Sequence, residues 1–234
     1  MKPRIEVVAI DCLMLRLFDE IAESNMPWML AASERLRAVF ADHLIDLVPS
    51  YTTLMVHYDG LALTPAEARA LIGQAITELR PETQRLGQRH VLPVWYDLSV
   101  GPELSLLAAR IGGPVSEVIR RHSEREYQVF ALGFAPGFAF MGLVEEALAA
   151  PRLSTPRKRV AAGSVGIAER QTAAYPAQSP GGWNLIGRTP SALFDRNREG
   201  YSLMQPGDTV QFEAVSHAEF IRLGGDDTPQ EAFA

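Results

Sequence analysis

The spacing of apolar positions changes character near residue 127. Before that point, helical and strand periods alternate. Met29, Ala32, Leu36, Val39 and Phe40 recur every three or four residues, which predicts an amphipathic helix. Ile5–Phe18 is a long β-capable stretch and reads as a strand or a hairpin. Between Tyr51 and Tyr58 the period falls to two. Thr52, Leu54, Val56 and Tyr58 share one face, and Thr53, Met55 and His57 the other, as in a half-buried strand. Thr64-Pro65-Ala66-Glu67 predicts a helix start: Thr64 caps, Pro65 suits the first helical position and Glu67 completes a capping box. Ala68, Leu71, Ile72, Ala75, Ile76 and Leu79 continue that stripe until Pro81 stops it. A polar loop over 80–89, a strand over His90–Tyr96, a short helix over 104–111 ended by Gly112-Gly113, and another over Ser116–His122 complete this half.

Beyond Tyr127, short strand-like pieces are separated by glycine and proline. Ten of the 18 glycines fall between Gly133 and Gly207. The strand candidates are Tyr127–Leu132, Val160–Ala168, Gln171–Tyr175, Trp183–Arg188, Asp208–Val215 and Glu219–Leu223. Many short strands with Gly/Pro turns indicate a barrel or sandwich. The expected organisation is an α+β domain over 1–90, a β-barrel domain over 91–223, and a polar, mobile tail over 224–234.

A net charge of −6 argues against a nucleic-acid surface, and no apolar run is long enough to span a membrane. The N-terminus lacks the apolar segment of a signal peptide. Cys12 is the single cysteine, so an internal disulfide is excluded and a reducing cytoplasm is expected. Cys12 lies in an apolar run and reads as a small buried hydrophobe.

Familiar catalytic signatures fail. Gly182–Thr189 nearly matches a phosphate loop, but Arg188 replaces the lysine and Pro190 prevents the helix such a loop requires. Ser164 and Ser179 lack the flanking glycines of a nucleophile elbow. The five histidines are scattered, which gives no support to a metal site. His122 ends a helix just before the glycine-rich block, as a dipole-favoured terminal residue or a proton carrier. Arg157-Lys158-Arg159 is a solvated turn or an anion clamp, to which Arg188 adds a second guanidinium fork. Trp183 is a core residue or a stacking wall.

The ordered series Gly-Phe-Ala-Pro-Gly-Phe (133–138), Pro-Arg (151–152), Pro-Arg-Lys-Arg-Val (156–160), Gly-Ser-Val-Gly-Ile-Ala (163–168), Gln-Thr (171–172), Tyr-Pro (175–176), Ser-Pro-Gly-Gly-Trp (179–183), Gly-Arg-Thr-Pro (187–190) and Pro-Gly-Asp (206–208) resembles the family of 5-oxoprolinase B subunits, also called allophanate hydrolase subunit 1, which includes Kip-type histidine kinase inhibitors. The resemblance implies a cyclophilin-like β-barrel after the N-terminal α+β domain. It also implies companions, the 5-oxoprolinase C subunit (allophanate hydrolase subunit 2-like) and the A subunit, with ATP as co-substrate of the complex for converting 5-oxo-L-proline to L-glutamate. The chain alone is expected to be inactive. Two alternatives come with the family: a regulatory protein that inhibits a sensor histidine kinase, and a carboxyltransferase component of a biotin-dependent urea or amide carboxylase.

On the oxoprolinase reading, charge develops on the lactam oxygen and the transferred phosphoryl group, which calls for preorganised donors. Arg159 and Arg188 are the cationic candidates. Backbone amides near Gly137, Gly181 and Gly182 are the neutral ones. Ser164, Gln171 and Ser179 orient substrate, His122 carries a proton, and Phe134, Pro136 and Trp183 line the site. Glu169, Ala173, Ala161 and Phe140-Met141 depart from the family pattern, and a carboxylate at position 169 is expected to alter a site loop.

Overall fold

A computed structural model describes residues 2–82 and 87–231, and the chain divides into two units, Met1–Leu86 and Gly87–Ala234, each built on its own sheet. In the first unit, Ile5–Phe18 is a hairpin of β1 (Arg4–Ala9) and β2 (Cys12–Arg16). It is followed by α1 (Met26–Phe40), β3 (Leu44–Pro49), β4 (Thr53–Tyr58) and α2 (Pro65–Ile76). The antiparallel sheet has the order β1-β2-β4-β3. The alternation read in β4 holds: Leu54, Val56 and Tyr58 are fully buried, and Leu54 and Val56 pair across from Leu15 and Leu13. Helix α1 packs on β3, β4 and α2. The capping box at Thr64 forms in both directions, with Glu67 N donating to Thr64 Oγ1 at 3.3 Å and Thr64 N donating to Glu67 Oε2 at 2.8 Å. Cys12 is buried, and that burial pushes its thiol pKa up. Residues 83–86 of the loop read over 80–89 lie outside the described residues.

The second unit runs β5 (Arg89–Val94), α3 (Leu104–Ile111), α4 (Val115–Ser123), β6 (Glu126–Leu132), β7 (Ala139–Gly142), β8 (Arg157–Val160), β9 (Ser164–Ala168), β10 (Gln171–Ala174), β11 (Ser179–Gly181), β12 (Asn184–Arg188), β13 (Thr209–Ala214) and α5 (His217–Arg222). Seven strands form one sheet in the order β12-β9-β10-β7-β6-β13-β5. Trp95, just past β5, exchanges both backbone hydrogen bonds with Arg188, each 2.9 Å, so the two sheet ends meet and the barrel closes. The Pro-Gly-Asp motif serves this architecture. The Asp208 carboxylate accepts from the amides of Gln88 and Gln205 (2.8 Å each) and meets His90 Nε2 at 3.0 Å, tying the turn before β13 to β5.

Strand alternation sorts apolar residues into two cores. Val165, Ile167 and Ile186 face the barrel interior with Val94, Val129 and Phe212. Ala168, Ala173 and Leu185, from the alternate positions, join Phe138, Val160, Tyr175 and Trp183 in a second core on the outer face. Strands β8 and β11 form a two-stranded flap, and Val160 carries that flap into the second core. A buried ion pair pins it: Arg157 Nη2 lies 2.5 Å from Glu103 Oε1, and Glu103 Oε2 accepts the Leu185 amide of β12 at 2.8 Å.

Several expectations are corrected here. Val160–Ala168 is not one strand, because the chain turns at 161–163 between β8 and β9. Glu219–Leu223 is not a strand. It falls in α5, whose start is capped by Ser216 Oγ accepting from Glu219 N at 3.2 Å. Arg157 to Arg159 is a strand rather than a solvated turn, and Arg157 is buried. Over the described residues 224–231 the chain makes backbone and side-chain contacts with the barrel. Arg188 Nη1 donates to the carbonyls of Asp226 and Thr228 (2.7 Å each), and Gln230 N donates to Ser99 O at 2.7 Å.

Candidate functional site

The rim of the second core opens into a pocket of ≈ 80 Å³. Its walls are the side chains of Phe134, Phe138, Phe140, Tyr175 and Trp183, together with Arg152 and the backbone of Pro180, Gly181 and Gly182. The Gly-Phe-Ala-Pro-Gly-Phe turn builds one wall. Ala135 N donates to Gly133 O at 2.8 Å while Phe134 has φ 69, a tight turn with a left-handed central residue. Gly137 has φ 83, and a Cβ there would lie 2.8 Å from Leu193 O, so only glycine fits. The turn leaves Phe134 65% exposed at the pocket mouth. Backbone strain of this kind persists only where the surroundings enforce it, and it concentrates at functional sites.

The aromatic rings hold one another edge to face. Phe138 meets Tyr175 at 5.3 Å and Trp183 at 5.6 Å between centroids, with interplanar angles of 82° and 85°. Burial pushes the Tyr175 phenol up to about 12, against the opposing effect of a hydrogen bond from the Trp183 backbone. It is a neutral donor at physiological pH. Gly181 is required beside it, since a Cβ there would fall 2.3 Å from Tyr175 Oη. The Arg152 guanidinium lies 5.9 Å from the Trp183 ring centre, so the pocket carries a cation over an aromatic wall.

Of the residues expected at the site, Phe134, Gly181, Gly182 and Trp183 line this pocket. Gly137 supports it through the turn, and Pro136 lies exposed on that turn. The others are elsewhere. Gln171 is half-buried on β10, paired with Ala168 and Gly142. The Ser179 hydroxyl is sealed in β11. Arg159 is exposed on β8, and its carbonyl accepts from Gln230 Nε2 at 2.8 Å. Arg188 is fully buried and pairs across from Ser164, apart from the pocket lining.

His122 does not fit a proton carrier. It is 0% exposed inside the barrel core, stacked on Phe212 at 4.6 Å. Nδ1 meets the Tyr96 hydroxyl at 2.7 Å, and Nε2 meets the Thr172 hydroxyl at 2.9 Å. Burial drives its pKa down to about 3, so it stays neutral. Glu169 is exposed and outside the pocket lining. It sits at φ 51 in the two-residue turn joining β9 and β10, which explains why glycine suits that position. Sequence reasoning does not assign Arg152, Phe138, Tyr175 or Pro180 to the site, and it names Phe140 only as a departure from the family pattern. The first four each belong to a motif of the ordered series, so position within that series is the available signal. Among the described residues no cluster of three or more His, Cys, Asp or Glu side chains is placed to hold a metal ion, and no helix is long and apolar enough to cross a membrane.

Comparison with known proteins agrees with this architecture. Residues 3–204 match the family described as carboxyltransferase domain, subdomain C and D. The chain is 35% identical over 228 residues to the B subunit of 5-oxoprolinase from Bacillus subtilis, covering 93% of this chain and 95% of that protein. It is 36% identical over 200 residues to the B subunit of 5-oxoprolinase from Escherichia coli O157:H7, covering 82% of this chain and 90% of that protein. In fold it is similar to the crystal structure of Kluyveromyces lactis urea carboxylase, with a TM-score of 0.75 at 16% identity. That match covers 97% of this chain and 23% of that much longer one. The second unit is thus a cyclophilin-like barrel, and the chain belongs to the carboxyltransferase subdomain C and D family, among the 5-oxoprolinase B subunits.

Proposed function

We propose that this chain is the B subunit of an ATP-dependent 5-oxoprolinase, and that the aromatic pocket of the second unit binds 5-oxo-L-proline. The observation that carries this reading is a guanidinium poised over an aromatic wall at the mouth of a small pocket. Arg152 suits the substrate carboxylate, and the flat lactam ring suits the faces of Trp183 and Phe134. The half-buried backbone of Gly181 and Gly182, in the same lining, suits the lactam amide. Phosphorylation of the lactam oxygen by ATP weakens amide resonance. Water then adds to that carbon, the C–N bond breaks with a proton going to nitrogen, and a second water releases phosphate to leave L-glutamate.

Among the described residues the pocket lining supplies one cation and one neutral phenol, and no carboxylate, imidazole or thiol. Such a lining binds and orients, but it offers no general base near neutral pH. This supports a chain that is inactive alone and is completed by its companions, with the C and A subunits supplying the rest, including the ATP site. The names of the two relatives support the same reading. Carboxyl transfer with biotin fits the family description and the urea carboxylase fold, but nothing in this pocket favours it over lactam opening.

The test is steady-state turnover of 5-oxo-L-proline by the assembled complex. Arg152→Ala removes a charge-assisted hydrogen bond, so kcat/KM should fall about ten- to a hundredfold. Full turnover by that variant, or turnover by the single chain, would reject the reading.

A further inference from the structure

Two donors of one buried guanidinium have no acceptor among the described residues. Arg188 is 1% exposed at the end of β12. Its stem crosses Gly163, where a Cβ would sit 3.2 Å from Arg188 Cγ. Nη1 is used, donating to the carbonyls of Asp226 and Thr228. Nε and Nη2 are the unmet pair, and both are sealed from solvent. These two nitrogens form the edge of the group that matches the two oxygens of a carboxylate. Ser164 is the Cα partner of Arg188 on β9, so the two side chains rise from the same sheet face. Its hydroxyl is also sealed and without a partner among the described residues. Buried polar atoms are normally satisfied, and three unmet atoms at one cross-strand pair point to a missing ligand.

The segment over Arg188 is held by polar contacts that can be exchanged. The Gln230 carboxamide imitates a strand neighbour for β8, donating to Arg159 O at 2.8 Å and accepting from Ala161 N at 3.1 Å. Asp227 Oδ2 meets His217 Nε2 at 2.8 Å in an exposed contact of little net strength. The family match ends at residue 204, before this segment begins.

We propose that residues 224–231 are a displaceable strap, and that when it lifts, the Nε–Nη2 edge of Arg188 and the Ser164 hydroxyl bind a small monoanionic carboxylate. Both nitrogens are sealed from solvent while the strap carbonyls hold Nη1, so ligand entry and the seated strap compete. A single guanidinium offsets one negative charge, which favours a monoanion over a dianion such as phosphate. Arg188 and Ser164 are outside the aromatic pocket lining, and the proposal does not rest on the oxoprolinase reading.

The test is an NMR titration of the full chain with sodium acetate, and separately with inorganic phosphate, at ionic strength fixed by sodium chloride. Acetate should shift the Arg188 Nε–H resonance and speed exchange of the Gln230 amide, and phosphate should do so far more weakly. Gln230→Ala removes two bonds of the strap and should tighten acetate binding about fivefold or more. Arg188→Lys keeps the charge but loses the fork, and should weaken binding at least about tenfold. Ser164→Ala leaves the arginine intact and should weaken binding by about threefold, which keeps the test valid if the lysine variant folds poorly. An Arg188 resonance unmoved by acetate in the Gln230→Ala chain would overturn the site. Phosphate binding as tightly as acetate would overturn the monoanion assignment, and unchanged affinity in both the Arg188→Lys and Ser164→Ala chains would place the ligand elsewhere.

Discussion

The flap over the second core depends on the Glu103–Arg157 pair, and breaking that pair should be costly. The side chains are 7% and 3% exposed, and Glu103 also accepts the Leu185 amide. Glu103→Ala therefore leaves a buried guanidinium without its carboxylate and a buried amide without its acceptor. Removing one partner of a buried pair costs about 3–5 kcal/mol. Glu103→Gln keeps the shape and an acceptor for Leu185, and should cost about 2 kcal/mol. Replacing both partners with apolar residues, as Glu103→Leu with Arg157→Met, should recover the part of the loss due to the unpaired guanidinium but not the part due to the Leu185 amide, which still lacks its acceptor. Urea unfolding followed by tryptophan fluorescence in a Trp28→Phe background reads the second unit through Trp95 and Trp183. Amide exchange at Gly181 and Gly182 should rise in Glu103→Ala, since β11 is held through β8. A cost below about 1 kcal/mol for Glu103→Ala would show that the pair does not pin the flap.

Three further outcomes follow from the geometry. His122 is neutral in the fold with its pKa lowered to about 3, whereas unfolding restores the ordinary value near 6.5. The stability this contributes is complete above about pH 6.5 and is lost as pH falls towards 3. By pH 5 the loss should reach about 2 kcal/mol, and a His122→Gln chain should show a flatter pH profile in urea titrations. Glu169→Gly relieves a left-handed residue in an exposed turn, and should raise stability by about 1 kcal/mol in thermal unfolding. Gly181→Ala drives a methyl into the Tyr175 hydroxyl, and should cost about 1–3 kcal/mol, part of which Tyr175→Phe restores in the double variant.

The parts of the fold set by local rules are readable from sequence. The β4 alternation, the Thr64 capping box and the barrel strands β6, β10, β12 and β13 follow from spacing and turn residues. Helix α5 escapes the pattern because Phe220-Ile221 fits either period. The decisive signal is Ser216 followed three residues later by Glu219, the start of a helix. Long-range partners are invisible in the sequence. His122 is explained by Tyr96 and Thr172, 26 and 50 residues away, and Arg157 by Glu103, 54 residues away. Both side chains carry polar chemistry that suggests catalysis until burial shows them to be internal ties. Arg152 is hidden for the opposite reason. It stands alone outside any charge run, and only the folded neighbourhood of Trp183 shows what it can do.

On the proposed function, the aromatic pocket on the outer face of the barrel holds the lactam. The most direct measurement is a crystal structure of the assembled complex with 5-oxo-L-proline and a non-hydrolysable ATP analogue. The ring should lie against Trp183 and Phe134, with its carboxylate on Arg152. The lactam bound entirely on a companion chain, with this pocket filled by a side chain of that companion, would contradict it.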